Sequence, residues 1–114
     1  MSRIERIFLD VKGTVSEKFP NFSEIELNIG CPIANKDHRK SSRQYMHVFC
    51  TDGCVCCANA ASKLPEKNLY GLFFHEFGHL IAGPKGDECA ADMAILKNFG
   101  IVINYCGKKE LQEV

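Results

Sequence analysis

Asn68-Leu-Tyr-Gly-Leu-Phe-Phe-His75-Glu76-Phe77-Gly78-His79-Leu-Ile-Ala82 is the stretch that decides the fold of this chain. It contains no proline, and its apolar residues (Leu69, Tyr70, Leu72, Phe73, Phe74, Phe77, Leu80, Ile81) run all round a helical wheel. All-round apolarity over this length predicts a helix buried on every side. Pro65 stands where such a helix opens, and Gly83-Pro84 stops it.

Reading outward toward the C-terminus, a second helix is expected from about Gly86-Asp87 to Phe99. Its first turn is acidic, which the helix dipole favours, and Ala90, Ala91, Ala94 and Leu96 are strong helix formers. Gly100 ends it, and Ile101-Val-Ile-Asn-Tyr105 is a short β-prone segment. Toward the N-terminus, Tyr45-Met-His-Val-Phe-Cys50 reads as a strand stopped by Asp52-Gly53, with Cys54-Val-Cys-Cys57 returning as a hairpin. Ile25-Glu-Leu-Asn-Ile29 alternates apolar and polar residues and reads as another strand, closed by Gly30 and Pro32. Residues 34–43 are polar and loop-like. Residues 3–12 fit either a strand or a short helix ending at Gly13. The fold class expected from these segments is α+β, with a small, mainly antiparallel twisted sheet packed on two principal helices.

At 114 residues the chain has the length of one domain, 1–114, with room for a single core. Apolar residues are 46% and charged residues 25%, the profile of a soluble globular protein. The 14 basic and 14 acidic residues cancel. Neither nucleic acid nor an anionic membrane is therefore an expected partner, since both select a net basic face. Lys36, Arg39, Lys40 and Arg43 form a locally basic run, but Asp37 and two serines among them mark a solvated loop. Charges interrupt the apolar residues of the first ten positions, so no secretory signal is expected. No apolar run reaches the ~20 residues that span a bilayer, and the expected location is cytoplasmic.

His75-Glu-Phe-Gly-His79 fits the pattern H-E-x-x-H on the expected helix. Positions i and i+4 share a helix face, so both imidazoles can reach one ion, and zinc accepts neutral imidazole nitrogen at about 2.0–2.1 Å. Glu76 follows the first histidine and is placed to take a proton from a water activated by the metal. A glutamate is otherwise a poor choice inside so apolar a helix, because a buried carboxylate needs a partner. Catalytic zinc needs a third protein ligand. The position six residues after His79 is Lys85, which excludes a third histidine there and with it the metzincin class. Glu88-Cys-Ala-Ala-Asp92 follows on the second helix, with its two acids on one face. The natural assignment gives Glu88 to the metal and Asp92 to the free ring N–H of His75, fixing its tautomer. The competing assignment makes Asp92 the ligand.

HEFGH followed by E-x-x-A-D resembles the gluzincin zinc peptidases, in which a glutamate on a later helix is the third ligand. The eight-residue gap between His79 and Glu88 looks most like the minimal gluzincins and the peptidase domain of the ImmA/IrrE group. The resemblance covers roughly residues 68–99. It implies one catalytic zinc ion, hydrolysis of peptide bonds in a peptide or unfolded protein, and a small twisted sheet packed on the two site helices. It also implies substrate bound in extended form along an edge strand, for which Tyr45–Cys50 is the candidate. Such enzymes commonly carry a group that stabilises the oxyanion; Tyr105, Tyr70 and His47 are candidates by residue type.

Seven cysteines are many for this length, and the odd number precludes complete internal pairing. Cys50, Cys54, Cys56 and Cys57 cluster, yet C-x3-C-x-C-C lacks the separated pairs of zinc ribbons. Buried thiols are the simplest reading, with bridges to Cys31 or Cys106 in an oxidising compartment. Two other functions remain open on sequence alone: a non-catalytic zinc-binding interaction module, and a cysteine-based redox or metal-binding protein.

Overall fold

The computed structural model describes residues 1–30, 46–49, 54–57, 59–83 and 86–105. Its first element, helix α1, spans Arg3–Lys18. Ser2 and Glu5 start it by reciprocal capping: the Ser2 hydroxyl accepts from the Glu5 N–H at 3.3 Å, and the Glu5 carboxylate accepts from the Ser2 N–H at 2.8 Å. Ile4, Ile7, Phe8, Val11 and Val15 recur at helical spacing and are all buried. The helix therefore continues past Gly13, where an end was expected. Gly13 lies on the solvent side with no atom within 4 Å of a hypothetical Cβ, so it costs helix propensity without breaking the packed face.

A 3-10 turn at Pro20–Glu24 leads to strand β1, Glu26–Ile29. Strands β2, Met46–Phe49, and β3, Cys54–Cys57, complete a sheet ordered β1-β3-β2. β2 runs antiparallel to β3, but β1 runs parallel to it, with Leu27 opposite Val55. The expectation of a mainly antiparallel sheet as half of an α+β fold is thus corrected. The described residues are dominated by three α-helices of 16, 17 and 12 residues, against strands of four residues each. Local alternation marked which segments are extended, but pairing direction depends on the path between them. β1 is not followed by a tight turn onto its neighbour, and a parallel pair needs such a longer connection. The first segment, expected as strand or short helix, went wholly to helix once its capping and 3.6-residue spacing are counted together.

After a 3-10 turn at Asn59–Lys63, helix α2 spans Glu66–Ala82 and helix α3 spans Glu88–Phe99. The expected bounds of both hold closely. α2 is the centre of the core. Phe73, Phe77 and Leu69 are wholly buried, and Phe8 of α1 packs on the Phe73 and Phe77 rings at 5.4 and 6.0 Å. Each such side chain contributes about 1.5–3 kcal/mol through burial. β3 adds Val55 and Cys57 to the same core. Arg3 donates to the Ser62 and Leu64 carbonyls, and Tyr70 donates to Asp10 at 2.8 Å, so α1 is tied to α2 and to the turn before it. Residues 101–105, expected to be β-prone, form no strand and run as an irregular segment after α3. Among the described residues no helix is long and apolar enough to cross a membrane.

Candidate metal centre

α2 and α3 meet at Gly78. A Cβ there would lie 2.3 Å from the Ala91 carbonyl oxygen, so only glycine lets the helices come this close. That approach brings the start of α3 over the last turns of α2. Asp87 caps α3, accepting from the Ala90 N–H at 2.9 Å, and Glu88 follows in the first helical position. The acidic run thus divides into three roles: Asp87 is a cap, Glu88 reaches toward α2, and Asp92 is buried one turn on.

His75, His79 and Glu88 converge, with one donor atom from each lying within 4.8 Å of the others. Glu88 Oε1 is 2.5 Å from His75 Nε2 and 3.1 Å from His79 Nε2. The three residues form a group able to hold a metal ion, and among the described residues no other His, Cys, Asp or Glu set does so. Asp92 Oδ1 lies 2.9 Å from His75 Nδ1, on the other side of the ring. If Nδ1–H donates to Asp92, a neutral His75 turns the Nε2 lone pair toward the Glu88 carboxylate, which also offers lone pairs. Acceptors this close require a proton or a cation between them. A tetrahedral shell at about 2.0–2.1 Å sets ligand atoms about 3.3 Å apart, so an ion would part Glu88 from His75 Nε2 by about 0.8 Å and from His79 Nε2 by about 0.2 Å. Glu88 can supply the movement, since its side chain is 60% exposed, whereas that of His75 is 5% exposed. The group comes from Glu88 and not from Asp92, which stands behind His75.

The two glutamates are pushed in opposite directions. Burial raises Glu76 to about 7, against the lowering influence of His75 and His79. Hydrogen bonds to His75 and His79 hold Glu88 far below the usual carboxylate range, although burial pulls the other way. Burial alone would lower His75, but the hydrogen bond to Glu88, the charge of Glu76 and the contact with Asp92 raise it on balance. A cation on the three donors would replace the protons that these shifts describe.

The oxyanion candidates separate. Tyr70 is spent on Asp10 of α1. His47 falls in β2, where the structure describes the backbone only. Tyr105 sits at the centre: its ring packs 4.8 Å from that of His75, and its backbone N–H donates to Asp92 Oδ2 at 2.7 Å. Burial, followed by the nearby Asp92 and Glu76, pushes its phenol up to about 12, so it stays neutral. Sequence reasoning named Tyr105 by type but missed the backbone contact with Asp92, for which residue identity carries no signal. Cys31, Cys50 and Cys106 lie outside the described residues, and Cys57 is a buried thiol. Cys89, next to Glu88, is in a disulfide.

No protein-family model matches this chain, and neither does any curated protein or solved structure.

Proposed function

We propose that the chain is a zinc-dependent peptidase, with His75, His79 and Glu88 as metal ligands and Glu76 as the proton carrier. The convergence of two imidazoles and one carboxylate on a single point, with a buried carboxyl beside them, carries this reading. Two imidazoles and one carboxylate make the three-ligand set that zinc hydrolases use, with one position left for water. The likeness of HEFGH and E-x-x-A-D to the gluzincin pattern supports the same assignment.

A zinc ion there would polarise a water molecule toward ionisation at neutral pH. Glu76 would take the proton from that water as the water oxygen joins the peptide carbonyl carbon. It would then give that proton to the amide nitrogen as the C–N bond breaks, yielding a carboxylic acid and an amine, and the acid would pass its remaining proton to the amine. Asp92 holds the His75 ring so that Nε2 faces the metal. β2 is an outer strand among the described residues and packs against α2, which makes it the place where an extended peptide would add to the sheet.

The test is proteolysis of an unfolded protein by the purified chain, with metal content read by mass spectrometry. One zinc per chain, cleavage abolished by chelator, and loss of cleavage with metal retained in Glu76→Gln are expected. Retained zinc with no cleavage of any unfolded protein would make the chain a binding module. More than one metal per chain, or indifference to Glu76, would favour cysteine-based metal or redox chemistry.

A further inference from the structure

Residues 101–105 have no regular structure, yet they end on the least exposed part of the metal centre. Tyr105 makes three contacts there. Its N–H donates to Asp92 Oδ2 at 2.7 Å, while Asp92 Oδ1 faces His75 Nδ1 at 2.9 Å. Its ring lies 4.8 Å from the His75 ring, tilted by 51°. Its hydroxyl sits over Gly71, one turn before His75, where an added Cβ would be only 2.9 Å from the oxygen. Gly71 is a notch in α2 that admits the phenol. In an apolar helix with no turn or positive φ at this point, glycine lacks a backbone reason, and the seated hydroxyl supplies one.

We propose that Tyr105 is a positioning residue for the metal centre, a clasp seated in the Gly71 notch that holds Asp92 and His75 in register. The proposal rests on the zinc-site reading and deepens it. Among the described residues Asp92 meets two donors, one on each oxygen, and each contact helps fix the other. The Tyr105 N–H orients the carboxylate, the carboxylate orients the His75 ring, and the ring directs Nε2 at the ion. The phenol anchors the irregular segment that carries the N–H, and its ring face limits rotation of His75. This geometry places the hydroxyl over α2 backbone at Gly71, a site suited to anchoring and not to polarising a substrate carbonyl.

Steric complementarity gives the test its form. Gly71→Ala fills the notch and meets the hydroxyl, so it should unseat Tyr105 even though alanine is the better helix former. Zinc affinity, measured by competition with a chromophoric chelator, should fall 10- to 100-fold, the range for losing support behind a liganding histidine. Tyr105→Ala should do the same. Tyr105→Phe alone should stay close to the unmodified protein. The double variant Gly71→Ala/Tyr105→Phe should recover most of the affinity, because the atom that clashes is gone. In metal-free protein, the His75 Nδ1–H held by Asp92 should give a slowly exchanging 15N-coupled proton signal, lost in Tyr105→Ala and Gly71→Ala. Unmodified protein that binds no zinc but shows that protected Nδ1–H and its loss would sink the zinc reading and leave the clasp standing. Zinc binding and the His75 Nδ1–H signal unchanged in Tyr105→Ala and Gly71→Ala, or a double variant no better than Gly71→Ala, would overturn the clasp.

Discussion

Gly78 lies inside the H-E-x-x-H pattern, at a position the pattern leaves free, and Gly78→Ala isolates what the helix crossing does for the site. The added Cβ would stand 2.3 Å from the Ala91 carbonyl oxygen, 2.9 Å from its carbon and 3.2 Å from its Cα. Ordinary carbon-to-oxygen contacts between backbones are about 3.3–3.6 Å. The obstacle is helix backbone, which has no rotamer to change, so α3 must withdraw from α2 by about 1 Å. Alanine gains about 1 kcal/mol of helix propensity, and overpacking costs about 1–3 kcal/mol. The net cost is about 0–2 kcal/mol, so the melting temperature should fall by no more than about 10 °C, and helix content should persist. Metal binding should not survive so well. Glu88 is three residues before Ala91 and withdraws with it, while ligand distances tolerate only about ±0.2 Å. Rotation of the exposed Glu88 side chain recovers part of the gap. We expect zinc affinity to fall at least 10-fold by chelator competition, and peptidase activity to fall about 10²-fold. A folded Gly78→Ala protein that binds zinc as tightly as the unmodified chain would refute the reasoning, since the close helix crossing would then be irrelevant to the ligand geometry.

Three further outcomes follow from the same geometry. Asp92→Asn keeps one acceptor where two donors must be met, so either His75 Nδ1 or the Tyr105 N–H loses its partner; metal-free stability should drop by about 1–3 kcal/mol in denaturant titration, and an unchanged midpoint would refute this. Glu76 titrates near 7 when folded, above the ordinary 4.5 of the unfolded chain. The folded state therefore holds a proton that the unfolded state releases between those values, and stability falls as pH rises through that window. Glu76→Gln should accordingly stabilise the chelator-treated protein more at pH 8 than at pH 5, and an equal gain at both would contradict the buried-acid account. Zinc at a hundredfold excess over its dissociation constant should add about 2.7 kcal/mol to folding, or roughly 10 °C in melting temperature. Glu88→Ala should abolish most of that increment, and a zinc-induced shift indifferent to Glu88 would remove it from the ligand set.

Both helices of the site were legible because their signals are local. The unbroken apolar run of α2, the Gly83 stop and the acidic first turn of α3 each act within a few residues, and H-E-x-x-H needs only helical spacing to place two imidazoles together. Glu88 and Asp92 share a helix face, so spacing alone left both as candidates, and it is the structure that groups Glu88 with His75 and His79. Sheet pairing was legible only in part: the Asp52-Gly53 turn signal pointed to the hairpin that pairs β2 antiparallel with β3, but nothing pointed to the partner of β1. Alternation in Ile25–Ile29 says that the segment is extended, but its parallel alignment with Cys54–Cys57 is set by chain path, not by either sequence. The N-terminal helix was half readable. Ser2 and Glu5 form a capping signature, but Gly13 suggested an end that a buried stripe of Ile4, Ile7, Phe8, Val11 and Val15 overrides. The Tyr105 N–H on Asp92 could not be read at all, because a backbone donor has no letter.

The N-terminal segment, outside the stretch that resembles the gluzincins, also braces the helix that carries Glu88. Glu88 stands at one end of α3, and the other end is held by the first residues of the chain. Lys18 donates to the Asn98 carbonyl at 3.3 Å, where a cation also suits the helix C-terminus. Phe99 packs against Phe19 at 6.2 Å and Phe74 at 6.4 Å, and Gly100 closes the helix in the left-handed conformation at φ 70°. Phe99 and Glu88 are separated by about 16 Å at 1.5 Å per residue. A tilt of only about 5° about the Phe99 end would carry Glu88 about 1.4 Å, well past what a metal shell tolerates. The Gly78 contact fixes how near α3 comes, and the Lys18–Phe19 anchor fixes its angle. Two imidazoles on one helix are paired by spacing alone; Glu88 reaches them because α3 packs along α2 at Gly78, with Lys18 and Phe19 bracing its far end.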